Sequence, residues 1–320
     1  MRALLATLLA VVGERTPCPE FAQWLSVWRT MQAASANRDP FVASLIAALK
    51  ADRLAWAFFS GYQGALQSAF PDSVEGGRVG ALCVHEAGRK MTEVTTSVEL
   101  CDRIPRLHGQ KSWALTSIED LTLLVLARRS DGPQKGPGSL VMVRLPSSAL
   151  GVSRGILRPQ AVVPELAHSE VRFDAVRLTP EQLVSGDGYA EHAKPFRVLE
   201  DIFVTGSTLA YLFAEAQSGG WPTTWCQRCI AAIAMLHACA ALDPRDPRVH
   251  ILVAGSLSFA GDVIRESENH WQAAQAIPHS RWQRDRPILS LGKEARRLRA
   301  IGSWARTGRV TDGTTQVQGA

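Results

Sequence analysis

The sequence predicts an α+β chain of several domains: a helical N-terminal domain, a central β-domain and a C-terminal helical bundle. Three observations carry this. Apolar residues recur at three- and four-residue spacing towards both ends of the chain. Between them, short runs rich in β-branched residues alternate with turn signals. The length of 320 residues, with 46% hydrophobic and 20% charged side chains, suits roughly two or three globular units with sizeable cores. That composition excludes a disordered or fibrous chain.

The N-terminal domain is expected over 1–75. Arg2 and the apolar run Ala3 to Val12 imitate a signal peptide, but Glu14 and Arg15 follow at once without a small-residue cleavage site. The run is also far shorter than the ~20 residues that a spanning helix needs. It is read as a first core helix. Phe21, Trp24, Leu25 and Trp28 mark one face of a second helix. Asp39-Pro40 opens a third, since proline suits a first helical turn, and Leu45, Ile46 and Leu49 give it an apolar face. A fourth runs from Leu54 to Phe70 and is stopped by Pro71.

The β-domain is expected over 76–178, after the turn signal Gly76-Gly77. Its strands are read as Val79 to His85, Val94 to Leu100, Leu121 to Ala127, Ser139 to Leu145, Val152 to Leu157 and Val171 to Val176. No helix-period stretch separates them. The expectation is therefore an antiparallel sheet, barrel or sandwich rather than a parallel α/β sheet. The bundle is expected over 179–306. Phe196, Leu199, Phe203, Ala210 and Phe213 define its first helix, and Gly219-Gly220-Trp221-Pro222 breaks it. Ile230, Ile233, Ala234 and His237 lie on the next. A third helix follows Asp243-Pro244, and a fourth runs from Ser280 to Trp304. The small, polar residues 307–320 read as a disordered tail.

Several function classes are excluded or disfavoured. The net charge of +5 is modest and its arginines are dispersed, so no nucleic-acid partner is expected. No membrane insertion is expected either. The six cysteines form no secreted disulfide framework, which points to a cytoplasmic chain with reduced thiols. Cys226 and Cys229 imitate a redox dithiol, but they sit in a helical segment rather than at a strand-to-helix junction. The histidines are scattered and offer no metal site. Phosphate-cradling and dinucleotide glycine loops are missing, as is a Gly-x-Ser-x-Gly elbow.

An ordered set of local motifs then points to one family. Ala81-Leu82-Cys83-Val84-His85-Glu86-Ala87-Gly88 looks like a strand ending in Thr-Glu-Pro-Gly. Gly109-Gln110-Lys111-Ser112-Trp113 looks like a Gly-x-Lys-x-Trp turn. Val171-Arg172-Phe173-Asp174-Ala175-Val176 closes the β-domain, Arg197 precedes Gly206 by nine residues, and Arg284-Asp285 lies near the end. In this order and spacing the chain resembles the acyl-CoA dehydrogenase family over about residues 50–305. The resemblance implies a flavoenzyme. FAD would lie against the β-domain, and an acyl-CoA or acyl-carrier thioester would be oxidised at its α,β positions. A carboxylate would take the α-proton while hydride passes to the flavin. It also implies a homo-oligomer. Trp221, Trp225 and Trp271 are then read either as interface aromatics or as core residues.

By the same resemblance, Val84, His85, Trp113, Leu115 and Thr116 are the cofactor-binding candidates. His85 stands where the family has a flavin-contacting threonine, and Leu115 stands where it has another, with Thr116 one residue late. Lys90-Met91-Thr92 replaces Gly-Ser-Asp. Gly219 to Pro222 replaces an Arg-x-x-Phe-Gly segment that holds a neighbouring subunit's cofactor. The usual catalytic glutamate is not in register. Glu294 would serve after a one-residue shift, although its surroundings also read as a charged helix surface. Phe196 fills the alternative position before Arg197. Arg197, Glu200 and Asp201 share one helical side, at i, i+3 and i+4. Arg197 is the substrate-binding candidate, and Glu200 and Asp201 are the carboxylates that would replace the base. A salt bridge between helices would explain the same cluster. The rival reading is a flavin-free member that acts as a structural or thioester-binding partner.

Overall fold

The computed structural model describes residues 2–10, 15, 17–35, 38–74, 77–89, 93–101, 104–115, 118–133, 136 and 138–307. Helices α1 (Arg2–Leu9), α2 (Phe21–Ala34), α3 (Pro40–Lys50) and α4 (Leu54–Ala69) come first. Strands β1 (Val79–Cys83), β2 (Ser97–Cys101), β3 (Ile104–Leu115), β4 (Leu121–Arg129), β5 (Leu140–Pro146), β6 (Val152–Arg154), β7 (His168–Arg177) and β8 (Leu183–Val184) follow. Helices α5 (Lys194–Gly219), α6 (Thr223–Ala240), α7 (Pro247–Glu266), α8 (Ala276–Asp285) and α9 (Lys293–Arg306) complete the order. The chain divides into two compact units. One comprises Met1–Thr16, Ser44–Gly61 and Val198–Ala320; the other comprises Pro17–Ala43 and Tyr62–Arg197.

The second unit holds the sheet, in the order β6-β7-β3-β2-β4-β5-β8, with β1 paired to β4 off this path. The sheet is mixed rather than antiparallel. β1 and β2 both run parallel to β4, while β2–β3, β3–β7, β4–β5, β5–β8 and β6–β7 are antiparallel. A parallel pair needs a crossover connection, and here the β2–β3 hairpin supplies it for β1 and β4. Alternation of side chains reports which face a residue takes, not which strand lies beside it. The parallel pairing was therefore invisible in the sequence. β4 shows the consequence of its partners: Leu123 to Ala127 are buried without alternation.

β3 is the other revision. The Gly109–Trp113 motif, expected as a turn, lies inside a twelve-residue strand. The strand is bent by register shifts against β7 between Leu107 and Gly109 and between Lys111 and Ala114. Gly109 has φ +128°, and a Cβ there would sit 2.6 Å from Thr96 Cα. Only glycine satisfies both demands. In the same unit Gln63 on α4 reads both backbone groups of Gly80, with Nε2 to the carbonyl at 3.0 Å and Oε1 from the N–H at 2.9 Å. Tyr62 Oη accepts the Leu82 N–H at 2.9 Å. These bonds dock α4 on β1.

The first unit is helical. α5 is buried on every side between Gly206 and Ala216, as a helix at the centre of a bundle must be. At Gly61 a Cβ would lie 2.7 Å from the Phe203 carbonyl oxygen, so α4 and α5 cross backbone against backbone. α7 begins at Pro247 with Asp246 as its cap, three residues later than Asp243-Pro244 suggested. The single helix expected from Ser280 to Trp304 is two. Arg286–Ser290 tightens into a 3-10 turn containing Pro287, and Gly292 then takes a left-handed conformation at φ +76° before α9. Trp221 and Trp225 are buried with their rings 4.9 Å apart, which is the core alternative of their two readings. Residues 308–320, expected as a disordered tail, lie outside the described residues. Among the described residues no helix is long and apolar enough to cross a membrane.

Candidate functional site

The exit of β1 is the built polar feature of the sheet unit. Glu86 is 7% exposed and its carboxylate accepts five hydrogen bonds. Oε2 receives the Thr95 N–H at 2.9 Å and the Thr95 hydroxyl at 2.7 Å. Oε1 receives the Thr96 N–H at 3.0 Å, the Thr96 hydroxyl at 2.7 Å and Lys111 Nζ at 2.7 Å. Lys111 itself is fully buried. One residue to each side, the Ser112 N–H donates to the His85 carbonyl at 2.9 Å. The end of β1, the lead-in to β2 and the bend of β3 are thus tied to one carboxylate.

Electrostatics follow from this geometry. Burial works against the Glu86 charge, but the bonds from Lys111, Thr95 and Thr96 outweigh it and hold its pKa at about 2. Burial pushes the Lys111 pKa down, against the hydrogen bond and charge of Glu86. The nearby Cys83 thiol is pushed up to about 12 by burial, only partly offset by Lys111, so it is inert as a nucleophile near neutral pH. Glu86 and Lys111 lie inside two of the sequence motifs, which by themselves assign neither a role. The signal was a carboxylate just past the apolar strand β1 and an amine inside β3.

Around this tie the cofactor-binding candidates are distributed unevenly. Val84 is half-buried and His85 is exposed, followed by exposed Ala87, Gly88 and Arg89. Gly88 takes φ +70°, and a Cβ there would meet nothing within 4 Å. Leu115 is buried at the end of β3, opposite His168 on β7. Trp113 lies on β3, with its side chain outside the description. Thr116 and Lys90-Met91-Thr92 lie outside the described residues. The donor set fits the polar edge of a flavin ring: an exposed imidazole able to donate, beside an open run of backbone. The Gly219 to Pro222 segment offers no such fit to a phosphate. It is the stop of α5, with Gly220 at φ +64° and the Trp221 N–H returned to the Ala216 carbonyl at 3.0 Å.

Arg197 is exposed on the first turns of α5. Phe196 before it is 1% exposed and meets Tyr62 edge-on at 5.8 Å, which keeps that position apolar. The segment from Gly186 to Tyr189 is committed to structure. Asp187 caps a π-helical turn and accepts the Gly138 N–H at 2.6 Å, and Gly188 crosses β5 where a Cβ would lie 2.5 Å from Val141 C.

The candidate carboxylates lie in the helical unit. Asp201 Oδ1 accepts from Arg296 at 3.0 Å, and Oδ2 pairs with Arg299. This is an inter-helix ion pair that fastens α9 to α5. Arg296 also caps the approach to α9 through the Leu289 and Leu291 carbonyls. Glu294 is 66% exposed in the first turn of α9 and pairs with Arg297 at 2.7 Å. That bond holds its pKa below the usual value. Its setting is the charged helix surface that the sequence also allowed. Glu200 is half-buried on α5. Among the described residues no cluster of His, Cys, Asp or Glu has metal-site geometry.

Helices before and after a mixed β-domain are the order of the acyl-CoA dehydrogenase fold. Solved structures of that fold match over almost the full chain. Butyryl-CoA dehydrogenase from Megasphaera elsdenii is 12% identical with a TM-score of 0.67, covering 95% of this chain and 97% of that one. Glutaryl-CoA dehydrogenase from Mycobacterium smegmatis is 16% identical with a TM-score of 0.62, covering 97% and 95%. FMN-bound TdsC from Paenibacillus sp. A11-2 is 14% identical with a TM-score of 0.68, covering 97% and 96%. These likenesses establish the fold. In sequence alone, no known family profile and no curated protein matches the chain.

Proposed function

We propose that this chain is a flavoprotein that oxidises an acyl thioester at its α,β positions. The carrying observation is the polar tie at the β1 exit, with exposed His85 beside it, in a fold whose solved examples include acyl-CoA dehydrogenases and flavin complexes. A bound flavin would supply the hydride acceptor. His85 would donate to the polar edge of its ring, and Val84 and Leu115 would bound it with apolar surface. Arg197 would meet the anionic part of the thioester carrier.

Glu200 is the carboxylate taken as the candidate base. A base must be able to gain a proton near the working pH. Glu294 is exposed and its charge is stabilised by Arg297. Both oxygens of Asp201 answer to guanidinium groups. Asp201 is thus engaged in fastening α9 to α5, and Glu200 is half-buried on the same helix α5. FAD is the expected cofactor, an acyl-CoA or acyl-carrier thioester the expected substrate, and self-association the expected state.

The test is anaerobic bleaching of the flavin-loaded protein by a panel of acyl-CoA thioesters. Bleaching by at least one of them, lost in Glu200→Gln and kept in Glu294→Gln, supports the reading. A loaded protein that no thioester bleaches overturns the substrate assignment. The flavin-free alternative gains ground only if the folded chain takes up no flavin.

A further inference from the structure

We infer that Glu86 and Lys111 are a positioning pair, which touches no ligand but fixes the geometry in which the β1 exit presents His85 and the 87–89 peptides. This rests on the reading of that edge as the flavin-facing one. Three separate backbones converge on the pair: residues 85–86 after β1, 95–96 before β2 and 111–112 in the bend of β3. A dry ion pair is a poor source of stability, because desolvating two charges offsets most of their attraction. Five donors directed at one carboxylate, however, set the relative placement of all three backbones. No neutral side chain of that shape can repeat the arrangement. A glutamine offers one acceptor atom and one donor atom. Its amide nitrogen must then face the N–H of either Thr95 or Thr96, each held at present by a carboxylate oxygen. Gly109 packs closely against Thr96, so the second segment cannot shift towards β3.

This arrangement separates positioning from mere charge balance. The variants are Glu86→Gln, Lys111→Met and the double Glu86→Gln/Lys111→Met, in which no lone buried charge remains. Each is read by melting temperature, by amide exchange at Thr95, Thr96 and Ser112, and by the Kd for FAD from flavin fluorescence. The single variants are expected to exchange at these amides about tenfold faster or more and to bind FAD about tenfold more weakly or worse. The double variant is expected to regain part of the melting temperature that the single variants lose. One of its Thr95 and Thr96 amides stays fast and its FAD affinity stays weak. If the single variants do not fold, the double variant decides alone. A double variant with wild-type exchange and wild-type Kd reduces the pair to charge balance and overturns the inference. So does faster exchange with an unchanged Kd. If the folded wild type takes up no FAD, the proposed function fails separately. Exchange in the double variant then decides whether the pair fixes this edge: wild-type exchange there overturns the inference.

Discussion

Replacing Glu86 by Gln should remove a specific part of the acid sensitivity of this fold. The carboxylate falls from 4.5 to about 2 in the folded chain. A depressed folded pKa stabilises the protein above the unfolded value, and that stabilisation is lost as pH falls through the folded one. The shift corresponds to about 3 kcal/mol, of which about 2 kcal/mol is gone by pH 3. Other carboxylates held low by arginine, among them Asp131, Asp243, Asp246 and Glu294, titrate in both proteins, so the comparison cancels them. The assay is urea unfolding of wild type and Glu86→Gln at pH 6 and pH 3. Glu86→Gln is expected to be about 3–5 kcal/mol less stable at pH 6, because it leaves the Lys111 ammonium buried without its counter-charge. The gap should narrow by about 2 kcal/mol at pH 3. A gap that is constant or grows on acidification refutes the argument, since Glu86 would then carry no depressed pKa.

Further substitutions test neighbouring parts of the account. Gly109→Ala should cost about 3 kcal/mol or more, from a positive φ and a Cβ driven into Thr96, measured by urea unfolding. Asp201→Asn should cost about 2 kcal/mol by leaving Arg296 and Arg299 without their carboxylate. Limited proteolysis should then cut within α9 first. Glu294→Gln should leave the thermal unfolding midpoint unchanged, as expected for an exposed helical ion pair.

Much of the architecture was legible because periodicity and punctuation encode it locally. Asp39-Pro40 announced α3, Pro71 closed α4, and the spacing of Phe196 to Phe213 traced α5. What escaped depends on partners distant in sequence. The parallel pairing of β1 and β2 with β4 leaves only the unbroken apolar run Leu123 to Ala127, which any strand buried on both faces would share. Gly109 reads as a turn residue until Thr96 is seen beside it. The site divided in the same way. His85 and Arg197 were legible as motif positions, and both are exposed. Glu86 and Lys111 carry no role that the sequence reveals, because their meeting brings together two charges twenty-five residues apart. Asp201 looked like a catalytic candidate from i, i+4 spacing alone, and only α9 reveals the arginines that hold it.

The most direct measurement of the central claim is the visible absorption spectrum of the folded protein before and after addition of FAD or FMN. The account predicts oxidised-flavin bands at one flavin per chain, weakened when His85 is replaced by Ala. A folded protein that takes up neither flavin at excess would contradict the account.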